Sequence, residues 1–421
     1  MSANATATPV LPASLKTNPL LSQWLQFLPD GSVQVKTGKV ELGQGILHAL
    51  KVLAAEELCV SLAQVTLCEA DTASGPDEGM TSGSLSIQDS GVAIRHACAH
   101  ARHLFLQQCA QQQGCAIEEL HVLSGLVHKG TQRMATYADL APHVDWQQAV
   151  DIEQPKLPSS AWQWVGQDLE RADVRALVEG EPIFIHDRVL PDMLHARMVR
   201  SDALHATLDE SSWQAAQTLS QQWPPSSTLV RDGGLIGVLA VNERDANLHA
   251  QQLLQTLRWQ AKPLGLSASS LPQDMQAQTL DAQVFHTSGE PTASAGAGTV
   301  DATQTFSATY FRPFLHHASI GTSCAVAQWS TDSTQSTALK VWSHSQGIFA
   351  LRRDLALSFG LSDTQVHVKH VRGAGCYGHN GADDVAFDAA WIAKHANGRP
   401  VRVVWSRRDE MIWSPIAPAM T

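Results

Sequence analysis

The chain has 421 residues, 44% of them hydrophobic, with a formal net charge of −11. That length buries a sizeable core in two or three globular domains, and the negative charge, with no Lys/Arg run longer than two residues, leaves no electrostatic footprint for nucleic acid or an anionic membrane. Seven cysteines (Cys59, Cys68, Cys98, Cys109, Cys115, Cys324 and Cys376) are scattered without a CxxC, which argues against a disulfide framework, a zinc ribbon or an iron–sulfur site in this chain.

The N-terminal MSANATATPVLPASLKTNPLL lacks the basic-then-apolar pattern of a signal peptide and a twin-arginine pair. No apolar run approaches the ~18 residues of a membrane span, so a cytoplasmic protein without one is expected. Residues 33–71 read as strand, turn, helix and strand, with Gln44-Gly45-Ile46 opening the helix and a second strand starting at Val65. TSGSLS, 81–86, gathers neutral hydroxyls before another helix that begins near Ser90-Gly91. These form a first segment, 1–110, and the Gln- and Trp-rich stretch 111–165, weakly periodic, reads as a connecting region. Residues 166–262 carry short strands (PIFIHD, MLHARMVRS, GLIGVLAV) and a helix from about Arg244 to Leu257, as expected of a small α/β domain. Residues 263–302 are rich in Ser, Ala, Gly, Thr and Gln and read as a linker.

In the last segment, 303–421, the first grammar returns: 339–371 contains Gln346-Gly347-Ile348, offset by 302 from the first copy, and a strand at Val366, offset by 301 from Val65. The two stretches therefore look like versions of one module. QVHVKHV then leads into the glycine loop GAGCYGHNG, a helix with Val385, Ala389, Ile392 and Ala396 at helical spacing, and the strand GRPVRVVW.

A glycine loop between strand and helix most often cradles phosphate. Here Asp383 and Asp384 occupy the helix's first turn, and there is neither GxGxxG nor GxxxxGK[ST]. Gln44 and Gln346 offer uncharged carboxamides at Gly-permissive turns, suited to a heteroatom-rich planar ligand. From the residues alone, caps and turns explain the Ser, Thr and Gly equally well. His316-His317 and Cys324 lack zinc spacing, and GTSCA and GSLS lack a nucleophile elbow.

GKVELGQGILHALKVLAAEEL and ADTASGPDEGMTSGSLSIQDSGVAIRHACAHARHLFL resemble molybdopterin-binding segments of the xanthine dehydrogenase and aldehyde oxidase family of molybdenum hydroxylases. VWSHSQGIFALRRDLA and HVRGAGCYGHNGADDVAFDAAWIAKHANGRPVRVVWSRRDEM resemble two more, and GEPIFIHDRVLPDMLHARMVRSDALHA is similar to the family's hammerhead domain. The resemblance implies an α+β fold in which molybdopterin-binding α/β modules flank a hammerhead-like domain. GQG and TSGS precede the hammerhead here, as in the branch containing isoquinoline 1-oxidoreductase and nicotinate dehydrogenase B-type subunits.

Carried onto this sequence, the resemblance implies that Gly43, Gln44 and Gly45 hold the pterin and that Thr81, Ser84 and Ser86 surround its phosphate. Gln346 would stand beside the molybdenum oxo group, with Gly373, Ala374, Gly375, Cys376, Tyr377 and Gly378 passing backbone close by. No side chain is implied as a metal ligand, because the cofactor's own sulfurs hold molybdenum. The implied cofactor is molybdenum-molybdopterin in its cytosine dinucleotide form, with iron–sulfur clusters in a small ferredoxin-like partner bearing two-iron, two-sulfur clusters. The implied substrate is a small molecule, an N-heteroaromatic compound or an aldehyde. The family's catalytic glutamate lies in a Gly-Glu motif far downstream, in a second cofactor-binding half not expected within these residues, and Glu41, Glu56 and Glu57 sit in the wrong motif to replace it. An incomplete chain, inactive alone and complemented by a C-terminal polypeptide, is the resulting expectation. The alternative is a non-catalytic remnant or assembly half that binds cofactor or partner without turnover.

Overall fold

The computed structural model describes residues 11–262, 265, 267–277, 307–332, 334–382 and 384–421. Strand Val33–Lys36 buries Val33 and Val35 on one face, as its alternation requires. Helix Ile46–Leu58 follows, and strand Val65–Cys68 returns parallel to the first, Val33 opposite Val65. Parallel neighbours need such a helical crossover. The second copy repeats the topology: Leu339–Ser343, helix Ile348–Phe359 and Val366–His370, with Leu339 opposite Val366 in a parallel pair. Even the turn before each second strand is shared, since Ser61 N and Ser362 N donate to the carboxamides of Gln64 and Gln365.

The two units meet edge to edge. Beyond Cys68 the chain runs beside Val366–His370, where His370 N donates to Ala70 O and Thr72 N to Val368 O, both at 3.0 Å. Val368 N in turn donates to the Thr72 hydroxyl at 2.9 Å. This contact brings the two glycine-bearing turns to the same side of the molecule.

One core lies around helices Ile46–Leu58 and Val92–Gln113. It includes Leu50, Leu58, Ala97, Phe105, Val127 and Leu140. Phe105 stacks on Tyr137 with ring centroids 4.1 Å apart, and its complete burial contributes roughly 1.5–3 kcal/mol. The stretch expected to be a connecting region forms a three-stranded antiparallel sheet, Leu120–Leu123, Leu126–Lys129 and Gln132–Thr136, and adds to this core. Its strands are too short, and too exposed on one face, to show a period in the sequence.

The other main core lies against a seven-stranded sheet. Its order is Val366–His370, Leu339–Ser343, Cys324–Trp329, Val401–Val404, Leu194–Met198, Leu235–Ala240, Ser227–Asp232. Strands of 166–262 thus join those of 303–421 through the parallel pair Val401–Val404 and Leu194–Met198, so no break in the sheet marks that expected boundary. Helix Asp384–Ala393 packs on one face with Val385, Ala389 and Ile392 buried, as their spacing predicts. It approaches so closely that a Cβ on Gly237 would lie 2.6 Å from Ile392. On the opposite face Ile236 and Val238 pack against Ala216 and Leu253 of helices Glu210–Ser220 and Glu243–Thr256.

PIFIHD, read as a strand, is instead a short turn at Ile185–Asp187, where Phe184 N donates to the Asp187 carboxylate. Asp383 and most of the expected linker 263–302 lie outside the described residues. Among the described residues no helix is long and apolar enough to cross a membrane.

Candidate functional site

Three segments distant in sequence enclose one cleft of about 500 Å³. Gln44 and Gly45 come from the first turn, Thr81, Ser84 and Ser86 from the serine loop, and Cys376, Tyr377 and Gly378 from the second glycine loop. Gly43, Gln346, Gly373, Ala374 and Gly375 do not line it, although they belong to the same segments.

The first turn is closed by its own side chains. Glu41, 2% exposed, accepts from Gly43 N at 2.9 Å, Gly45 N at 2.8 Å and Leu47 N at 3.3 Å. Those N–H groups at a helix start are where an anion would settle, so this carboxylate already fills that seat. Gln44 folds back as well: its Nε2 donates to Val40 O at 3.0 Å and its Oε1 accepts from Leu42 N at 2.5 Å. Gln44 therefore shapes the wall it lines.

The serine loop is arranged differently. Gly83 and Ser84 adopt left-handed backbone, φ 65° and 59°, a conformation that costs a non-glycine residue about 1–2 kcal/mol. Such strain concentrates at binding sites. Ser86 then directly precedes a π turn, Ile87–Gly91, that continues into helix Val92–Gln113. The hydroxyls of Ser82, Ser84 and Ser86 have no hydrogen-bond partner among the described residues. Left-handed residues leading into a helix start suit an anion, and among the described residues no carboxylate is bonded at this turn.

Gln346 lies beneath the cleft, 5% exposed. Its Nε2 donates to Thr81 O at 2.9 Å and its Oε1 accepts from Cys376 Sγ at 3.2 Å. Its backbone carbonyl accepts from Thr81 N at 2.8 Å, and its N–H donates to Asn380 O at 2.9 Å. One residue thus clamps the serine loop to the second glycine loop. The carboxamide does not itself line the cleft and meets it through Thr81 and Cys376.

The second glycine loop is bare for a reason the sequence conceals. A Cβ on Gly373 would sit 2.3 Å from His344 Nδ1, so the loop must lie flat on a buried imidazole. Burial pushes His344 and His370 down to about 3, keeping both rings neutral. Farther along, Gly375 and Gly378 both take φ of 93°, which favours glycine.

Glu56 and Glu57 are equally committed. Glu56 accepts from the backbone of Gln163, Trp164 and Val165, and Glu57 pairs with Arg95 at 2.6 Å and accepts from Leu157 N. They anchor the 157–165 stretch. His317 lies 5.6 Å from His379, ring to ring, yet among the described residues no group of three His, Cys, Asp or Glu could hold a metal. Burial pushes the Cys324 thiol up to about 12.

The sequence reading missed Arg171, which reaches over Gly45 from a segment far along the chain. Asp173 binds it through two hydrogen bonds and also receives Arg372 at 2.6 Å. Those bonds, from Arg171 foremost, hold the Asp173 carboxyl far below the usual range. Only the fold could have revealed this group, because no local motif links it to the Gln-Gly-Ile turn.

The chain matches molybdopterin cofactor-binding domain models over residues 5–171 and 279–421. The B component of nicotinate dehydrogenase from Pseudomonas putida is 32% identical over 401 residues, 94% of this chain and 33% of that protein. The beta component of isoquinoline 1-oxidoreductase from Brevundimonas diminuta is 27% identical over 214 residues, 41% of this chain and 27% of that protein. A solved structure of aldehyde oxidoreductase from Desulfovibrio gigas is 19% identical, with a TM-score of 0.44, covering 63% of this chain and 33% of that one. The chain therefore spans 33% or less of the length of these relatives.

Proposed function

Because this chain belongs to the xanthine dehydrogenase and aldehyde oxidase family as a molybdopterin-binding subunit, we propose that its cleft receives a molybdenum-molybdopterin cofactor in the cytosine dinucleotide form. The observation that carries this reading is the serine loop. Among the described residues, the unpartnered hydroxyls of Ser82, Ser84 and Ser86, a left-handed turn and a helix start converge there, with no carboxylate bonded to them. A phosphate suits that donor set.

When bound, the cofactor supplies the two-electron redox chemistry; the chain's residues bind and orient it. Ser84 and Ser86 hold the phosphate, and Thr81 is fixed by Gln346 so that the loop keeps its shape. Gln44 and the loop from Cys376 to Gly378 form the opposing walls. The reaction served is hydroxylation of an N-heteroaromatic compound or aldehyde with water as the oxygen source. Electrons pass to a partner protein that carries two-iron, two-sulfur clusters, since this chain has no CxxC.

General-base work needs a carboxylate near the reacting atoms and contributes about two to four powers of ten in rate. Glu41, Glu56 and Glu57 are each bonded to backbone N–H groups. None of these three is offered as the base, which this reading assigns to a complementing polypeptide needed for turnover. Those tied carboxylates also favour a second reading, a cofactor-holding half without catalysis of its own. Purified chain from a host that makes the cofactor should carry molybdenum and pterin near one per chain; absence of both would overturn the main reading. Turnover that appears only when a complementing polypeptide is added would set aside the second.

A further inference from the structure

We propose that Arg171 is an anion-docking residue at the Gly45 end of the cleft, presenting Nη1 to an oxyanion of the bound ligand. The proposal rests on the cleft being a ligand site and adds a recognition element to it. The guanidinium has its Nε and Nη2 fixed on the two oxygens of Asp173, at 3.1 and 2.8 Å. That bidentate pair sets the plane of the group. Nη1 makes no hydrogen bond among the described residues, and the side chain keeps 28% of its surface exposed.

The position is specific. Nη1 would lie 3.0 Å from a Cβ on Gly45, a residue that lines the cleft and holds φ of 77°. A side chain at position 45 would crowd the guanidinium. Asp173 also binds Arg372 Nη1 at 2.6 Å, so two guanidiniums share one carboxylate, with the Glu41 carboxylate also acting on Arg171. Arg372 directly precedes Gly373, which ties the cation to the second glycine loop. The Glu41 carboxylate beneath the turn is already engaged by three backbone N–H groups. Arg171 stands beside Gly45 rather than among the residues that line the cleft, and its Nη1 is the donor there that no described protein group takes. The ligand group is a phosphate of the cofactor or a carboxylate of the substrate; both present the same acceptor geometry.

Calorimetric titration of the purified full chain separates the sources. The probes are inorganic pyrophosphate, pyridine-3-carboxylate and the uncharged pyridine-3-carboxamide. Arg171→Gln should weaken the anion that docks here by about tenfold or more, the loss expected for one charge-assisted hydrogen bond, and Arg171→Lys should recover part of it. A loss confined to pyrophosphate assigns the phosphate, and one confined to the carboxylate assigns the substrate; the carboxamide should be unaffected. If Arg171→Gln does not fold, Arg171→Met, which keeps the apolar stem of the side chain, takes its place and should weaken the same anion. Equal binding of both anions by wild type and variant, or no anion binding by wild type, overturns the proposal. Pyrophosphate binding lost in Ser84→Ala but kept in Arg171→Gln rejects Arg171 while leaving the cofactor reading intact.

Discussion

Replacing Gln346 with Leu removes the carboxamide while nearly keeping the volume beneath the cleft. Two bonds go: the one donated to Thr81 O at 2.9 Å and the one accepted from Cys376 Sγ at 3.2 Å. A thiol is a weak donor, so the second bond contributes little. The first leaves a carbonyl without its side-chain partner at a buried residue, and an orphaned acceptor costs about 1–3 kcal/mol. With the lost bond itself, a loss of about 2 kcal/mol is expected. Each kcal/mol moves the midpoint of a domain of this size by about 2–4 °C, so differential scanning fluorimetry should show a fall of about 4–8 °C. Deuterium uptake by the peptide spanning 80–87 should rise in step, because the serine loop loses its tie to the second glycine loop. Gln346→Glu should behave similarly at neutral pH, where its carboxylate cannot donate to Thr81 O. A midpoint unchanged within about 1 °C, with uptake unchanged, would refute the clamp.

Gly373→Ala drives a methyl to 2.3 Å from His344 Nδ1, and overpacking of this kind costs about 1–3 kcal/mol or more; its soluble yield and thermal midpoint should both fall, and a wild-type midpoint would contradict the packing. His344 and His370 are held neutral with values of about 3, against about 6.5 when unfolded. Their contribution is complete above about pH 6.5 and declines as pH falls toward 3, because the unfolded chain takes up protons the folded one refuses, at about 1.4 kcal/mol per pH unit for each ring. The urea midpoint should therefore drop between pH 7 and 5, less steeply in a folded His370→Asn variant, and a flat profile would rule this out. A native pulldown should recover an iron-containing partner with two-iron, two-sulfur clusters; a lone, iron-free chain with full dehydrogenase activity would rule that partner out.

The repeated strand–helix–strand units were legible because a Gln-Gly-Ile turn fixes a helix start and a Gln-Val pair fixes a strand start, both local signals at matching offsets. The helix at Asp384–Ala393 was legible from the helical spacing of Val385, Ala389 and Ile392, although it is buried on nearly every side. The serine loop, the first turn and the tip of the second glycine loop were readable as motifs, and the fold brings them to one cleft. What stayed hidden depends on contacts between distant residues. The bonds that tie the Gln346 carboxamide to Thr81 and Cys376 have no local signal in the sequence. The three N–H groups that close on Glu41, and the His344 ring beneath Gly373, likewise have no local signal. PIFIHD alternates well enough for a strand, but Asp187 caps it into a turn.

The serine loop as phosphate seat is tested most directly by pterin content. Chain carrying Ser82→Ala, Ser84→Ala and Ser86→Ala together loses only hydroxyls that have no partner among the described residues, so its circular dichroism and thermal midpoint should match wild type. Both proteins are produced in a host that makes the cofactor, and released pterin is measured by fluorescence after oxidation, alongside molybdenum by mass spectrometry. The account predicts near one pterin and one molybdenum per wild-type chain and a loss of about tenfold or more in the triple variant, as three weakened phosphate contacts imply. Equal pterin and molybdenum in both proteins would contradict it.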